Sequence, residues 1–282
     1  MSIQSLPENL GRIYAFGLTY LEHIKEIGEK VADPVIFEKH CAPEVDPEVV
    51  AMPRHQQVRA ALAELDGMVA DAVVRGLKHN EGEIPVLLDY EVELAIVLLE
   101  PVSIEQLKDE NWMPQYGLCL ANDVSARSVQ FAGQMMEDRL RYWAQAKSFA
   151  SFLPVGSEMH TCNAADAFPD WSLELKVNGE VRQSAALSEM ILTPRQFVEK
   201  ALAYSGADRL EVGDVILTGT PSGVAASISK LKRTIGAMLP ASLAVKLAIK
   251  GAMKSPLYLQ SGDLIESQVK GSNLPSLDFK IS

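Results

Sequence analysis

The chain has 282 residues, 48% hydrophobic and 22% charged, ordinary globular usage that excludes a disordered, collagenous or coiled-coil protein. With 26 basic against 37 acidic residues the net charge is −11, so no global positive field draws in nucleic acid, and holding an anionic small molecule needs a local device such as a bound cation. Cys41, Cys119 and Cys162 are too few and too scattered for a disulfide framework or a structural zinc site; with no signal-like start and no apolar run of ~20 residues, a soluble cytoplasmic protein is expected.

In chain order, residues 20–30 read as a short helix, with Leu21, Ile24 and Ile27 on one side. Residues 54–78 read as a longer amphipathic helix, because Val58, Leu62, Leu65, Val69, Val73 and Leu77 recur at three- and four-residue steps. DYEVELAIVLL (89–99) suits a strand entering the core from an edge. In LELKVNGEVRQ (173–183) Asn178-Gly179 separates two alternating runs, a hairpin signal. Thr193 as N-cap, Pro194 at the first helical position and Gly206 as the stop define a helix over 193–206. EVGDVILTGTPSGV (211–224) and SGDLIESQV (261–269) each place a Gly-Asp turn before a strand. Strands joined by hairpins dominate the second half, so the fold class is α+β, in one domain spanning 1–282 with helical insertions at about 54–85 and 227–256.

Residues two apart in a strand share a face, which puts Glu91 beside Glu93. Two carboxylates there repel each other and lose hydration unless a cation lies between them; a solvated acidic edge is the other reading. Asp123, where LCLANDVSAR passes from an apolar strand into a polar loop, is a third oxygen ligand or a helix N-cap. Three carboxylates without cysteine suit Mg²⁺ or Mn²⁺. His23 and Glu26, three apart on a helix, form a pair suited to activating water, or an ordinary surface pair. Lys147, among Trp143, Ala146 and Phe149, either snorkels or holds a carboxylate or enolate. The loop Thr218-Gly219-Thr220-Pro221 offers hydroxyl and N–H groups to an anion, or is a plain turn.

Together these segments resemble the fumarylacetoacetate hydrolase family. The resemblance is carried by Tyr20, His23 and Glu26 in TYLEHIKE, Glu91 and Glu93 in YEVEL, Asp123 and Arg127 in NDVSAR with Gln130 beyond, AKSF around Lys147, the hairpin, and EVGDVILTGTPSGV. It implies a mostly β roll or sandwich with peripheral helices, a homodimer, and Mg²⁺ or Mn²⁺ on Glu91, Glu93 and Asp123. It also implies a water-activating His23–Glu26 dyad on a mobile segment, Lys147 stabilising developing negative charge, and substrate contacts from Tyr20, Arg127, Gln130, Gly219 and Thr220. The activity implied is hydrolysis of a C–C bond in an acylpyruvate or related 2,4-dioxo acid. The alternatives are a decarboxylase or isomerase of oxaloacetate-like 2-oxo acids working through an enolate at the metal and, last, a non-catalytic interaction protein on the same fold.

Three features depart from the pattern. Thr19 stands where asparagine is common and Leu18 where a basic residue is frequent, and the helix after residue 54 is long for the family. Residues 227–256 hold six basic residues and no acidic one, with Lys246, Lys250 and Lys254 forming one stripe and Leu243, Leu247 and Ile249 expected elsewhere around the helix. A cap over the site or a dimer contact is the first reading of this insertion and a packed excursion the second. Docking on a membrane surface comes last, because Pro240 interrupts the segment and the chain is acidic overall.

Overall fold

A computed structural model describes residues 2–26, 33–68, 71, 84–133, 136–163, 167–226 and 241–282. Its centre is a nine-stranded mixed sheet ordered Ile3–Ser5, Glu158–Asn163, Gln115–Asn122, Val92–Leu98, Val215–Leu217, Ile13–Gly17, Val35–Lys39, with Glu44–Val45 and Pro154–Val155 joined at the side. A second sheet runs Glu180–Ala186, Ser172–Val177, Leu264–Lys270, Leu277–Ile281, Val49–Val50. One apolar cluster joins the two sheets, from Ile13 and Tyr14 through Leu94 and Ile96 to Leu173, Ile265 and Phe279. The architecture is α+β and mostly β, as the hairpin-rich second half requires.

Where local chemistry is strong, the elements fall where the sequence puts them. Asn178 and Gly179 take φ 52° and 80°, the double left-handed turn that matches strand twist. Thr193 caps the helix Pro194–Ser205 by accepting from the Gln196 N–H, and Gly206 closes it at φ 65°.

Other expectations are corrected. The strand over 89–99 is shorter, Val92–Leu98, and central: it pairs with Gln115–Asn122 on one side and Val215–Leu217 on the other, and all seven residues are buried. Its apolar run marks a strand covered on both faces, not one entering from an edge. The helix over 54–78 is interrupted: His55–Leu65 ends at Asp66, which is extended at φ −159°, and 69–70 and 72–83 lie outside the described residues. The first helix is Leu21–Glu26, with 27–32 outside the described residues. In the basic insertion the helix Ala241–Ala252 is described and 227–240 is not. Leu243 and Leu247 point outward with the lysines rather than away from them.

Candidate metal centre

The site forms where four chain segments meet at the end of the central strand. Glu93 lies within Val92–Leu98 and Glu91 just before it, while Asp123 follows Gln115–Asn122, whose Asn122 pairs with Val92. The Asp123 N–H donates to the Glu91 carbonyl at 2.9 Å, so the backbone itself locks two of the three acids together. One oxygen from each of Glu91, Glu93 and Asp123 lies within 4.8 Å of the others, and all three residues are buried.

Lys147 answers this concentration of negative charge. Its helix Arg139–Ala146 ends at the lysine, and Nζ donates to Glu91 Oε2 and Asp123 Oδ2, each at 2.6 Å. The second oxygens are held from outside: Arg127 reaches Glu91 Oε1, and Lys39 reaches Asp123 Oδ1 and the Phe152 carbonyl, the latter at 2.8 Å. Arg127 in turn donates to Asp89 at 2.7 Å and to Gln130 at 2.6 Å. Asp89 also accepts the N–H groups of Tyr90, Ala225 and Ala226.

The electrostatics separate the two glutamates. Burial works to raise the Glu91 carboxyl, but Lys147 and Arg127 overcome it and hold it down at about 2. Glu93 makes no ion pair among the described residues: burial, with Asp123 and Glu91 adding repulsion, outweighs the attraction of Lys147 and pushes its carboxyl well above the usual range. Among the described residues, Glu93 receives one hydrogen bond, from the Gly219 N–H at 2.8 Å. Burial works to lower the Lys147 ammonium, yet Asp123 and Glu91 more than offset it and raise it. The triad thus fits a hard divalent cation, because it offers buried carboxylate oxygens without thiolate or imidazole and the charge of one carboxyl, Glu93, is under-compensated.

The remaining expected residues fall around this core. Tyr20 is buried beside Glu93, its hydroxyl has no partner among the described residues, and burial raises its pKa well above 10.0. Thr19 fixes the approach of this segment by donating to the Thr218 carbonyl at 2.6 Å. Gly219 takes φ 85°, and a Cβ there would collide with the Thr19 side chain, so glycine is required by both conformation and space. The Thr220 hydroxyl donates to the Val92 carbonyl at 3.0 Å and accepts from Gln183 at 2.8 Å. These bonds engage the Gly219 N–H and Thr220 hydroxyl inside the protein, where the sequence reading offered both to an anion. His23 is half-buried and lies within electrostatic reach of Glu91. The side chain of Glu26 lies outside the described residues.

A family model described as fumarylacetoacetate (FAA) hydrolase C-terminal matches residues 12–281. The chain belongs to the fumarylacetoacetate hydrolase family. Among family relatives, the chain is 34% identical over 220 residues to oxaloacetate tautomerase FAHD1, mitochondrial, of Mus musculus, covering 75% of this chain and 80% of that protein. It is 31% identical over 222 residues to oxaloacetate tautomerase YisK of Bacillus subtilis, covering 78% of this chain and 61% of that protein. In fold it is similar to fumarylpyruvate hydrolase from Pseudomonas aeruginosa, solved in complex with Mn²⁺ and pyruvate, at TM-score 0.59 and 18% identity over 99% of this chain and 95% of that one.

Three contributors to this cluster are not among the residues the sequence pointed to. Lys39 carried a signal: in Val35–Lys39 it shares the inward phase with Phe37, and a charge in an apolar phase needs a partner. Gln183 occupies a buried position of the Glu180–Ala186 strand in the same way and accepts from the Val92 N–H at 2.9 Å. Asp89 gave no sign, because apart from the adjacent Tyr90 N–H its partners, Arg127 and residues 225–226, come from far along the chain.

Proposed function

We propose that the protein is a divalent-metal enzyme that takes a small 2-oxo acid through an enolate and interconverts its keto and enol forms, with an oxaloacetate-like acid as substrate. The observation that carries this reading is the charge balance of the buried cluster. Asp89, Glu91, Glu93 and Asp123 face Lys39, Arg127 and Lys147, four carboxylates against three cations. A divalent cation turns that deficit into a single positive excess, the complement of one carboxylate on a bound acid. The naming of two relatives above 30% identity as oxaloacetate tautomerases supports the choice of reaction.

Mg²⁺ or Mn²⁺, held by Glu91, Glu93 and Asp123, supplies Lewis-acid polarisation of an oxo oxygen. Lys147, whose ammonium already meets negative charge at Glu91 and Asp123, is the group that balances the charge developing as a proton leaves carbon. His23 moves that proton between carbon and oxygen, with Glu26 orienting the imidazole. Arg127 and Lys39 hold the outer oxygens of Glu91 and Asp123, so the inner oxygens, which meet Lys147 here, would be the ones to hold a cation. Tyr20 and Gln130 are the proposed substrate contacts, with Arg127, Gly219 and Thr220 shaping that pocket through the bonds they already make.

Hydrolysis of an acylpyruvate is the second reading, favoured by His23 lying within electrostatic reach of Glu91, since an imidazole can activate water as well as shuttle a proton. The test follows the enol absorbance of oxaloacetate with Mn²⁺, with EDTA and with Glu91→Gln, in parallel with product analysis on an acylpyruvate. Accelerated keto–enol exchange that needs metal supports the reading. Metal-independent exchange would sink it, whereas release of pyruvate and a carboxylic acid without effect on oxaloacetate assigns the hydrolase. Release of CO₂ from oxaloacetate assigns a decarboxylase.

A further inference from the structure

The Ala241–Ala252 helix buries one side and leaves another exposed, without a partner among the described residues. Val245 and Ile249 are turned inward, and the helix packs on Arg127–Ala132. At 3.6 residues per turn the opposite side carries Leu243, Leu247 and Lys250, with Lys246 at its margin and Lys254 in the turn that follows. Leu243 and Leu247 are 39% and 50% exposed, one turn apart, and Lys250 and Lys254 are exposed among them. A surface helix ordinarily spends its leucines on the buried face; here a second pair faces water between lysines.

We propose that this outward face docks on a lipid bilayer bearing anionic headgroups. The charge distribution selects the partner: residues 241–256 hold Lys246, Lys250 and Lys254 and no acidic residue in a chain of net charge −11, so the remainder is more acidic still. An anionic bilayer repels the bulk of the molecule and attracts this helix, which fixes the docking orientation. The leucine pair enters the acyl boundary while the lysine stems lie along it and present their ammonium groups to phosphate. A symmetric contact between two copies through this face would set lysine against lysine with no carboxylate on the helix to relieve them.

The test is co-sedimentation of the full chain with vesicles of phosphatidylcholine alone and of phosphatidylcholine mixed with phosphatidylglycerol. The chain should pellet with the anionic vesicles, stay in solution with neutral ones, and be released by high salt. Lys250→Gln with Lys254→Gln should weaken partitioning roughly 25-fold, about fivefold for each lysine near a charged surface. Leu243→Ser with Leu247→Ser should weaken it at constant salt. Both double variants should keep the wild-type urea midpoint, and Glu91→Gln should pellet like wild type, so this outcome does not depend on the chemistry proposed above. A chain that stays in solution with anionic vesicles at low salt overturns the proposal. So does pelleting that neither double variant weakens, or a change of oligomeric state in the variants by light scattering, which assigns the face to a second copy.

Discussion

Lys147→Met offers the sharpest examination of the metal centre. The substitution keeps much of the side-chain volume and removes a cation 2.6 Å from both Glu91 and Asp123. Losing one partner of a buried ion pair costs about 3–5 kcal/mol. The low end applies here, because Arg127 and Lys39 still hold the outer oxygens and the carboxyls can take up protons. A divalent cation would meet the same inner oxygens that Lys147 meets. The variant is therefore expected to lose about 3 kcal/mol in EDTA and less than about 1 kcal/mol in saturating Mn²⁺, read from urea denaturation of both proteins under both conditions. Its Mn²⁺ affinity should equal or exceed that of wild type, since a competing cation is gone, while turnover falls by about 10²–10³ with the loss of a charge-stabilising group. A stability gap of the same size in EDTA and in Mn²⁺ would refute the idea that lysine and metal share those oxygens.

The other expectations concern the ligands, their support and the second sheet. Glu91→Gln and Asp123→Asn should each weaken Mn²⁺ binding by at least about tenfold in calorimetric titration, because a neutral amide is a poorer donor to a hard cation and also breaks the bond to Arg127 or Lys39. Gln183→Ala leaves the buried Val92 N–H without its acceptor and the Thr220 hydroxyl without its donor, so a loss of about 1–3 kcal/mol in urea stability is expected, with KM rising more than kcat falls. Glu174, bonded to Lys270 and to Gln268, has its carboxyl lowered below 4.5, first by the Lys270 bond. Its contribution is therefore present above the unfolded value and lost as pH falls through the folded one. Glu174→Gln should flatten the acid limb of urea stability below about pH 4.5 and leave the neutral region little changed, whereas an unaltered acid limb would show that the pairing carries no proton linkage.

The sequence by itself determined the elements whose chemistry is local. Asn178-Gly179 demands left-handed backbone and so names its own hairpin, and Thr193, Pro194 and Gly206 bound a helix without help from any distant residue. The acidic trio was legible only in part: spacing left a solvated edge open for Glu91 and Glu93 and a helix N-cap for Asp123, the family resemblance grouped the three, and the fold buries them together. What supplies their counter-charge in the protein alone was decided only by tertiary structure. Lys39, Arg127 and Lys147 arrive from a sheet-edge strand and two helices, and nothing in their own neighbourhoods fixes which carboxylate oxygen each one takes. The same holds for Val92–Leu98, whose apolar run suits an edge or a centre until both neighbouring strands are in place. The direction of Leu243 and Leu247 is of this kind too. Periodicity groups side chains on a helix, but only the packing of Val245 and Ile249 against the core decides which group is left to face outward.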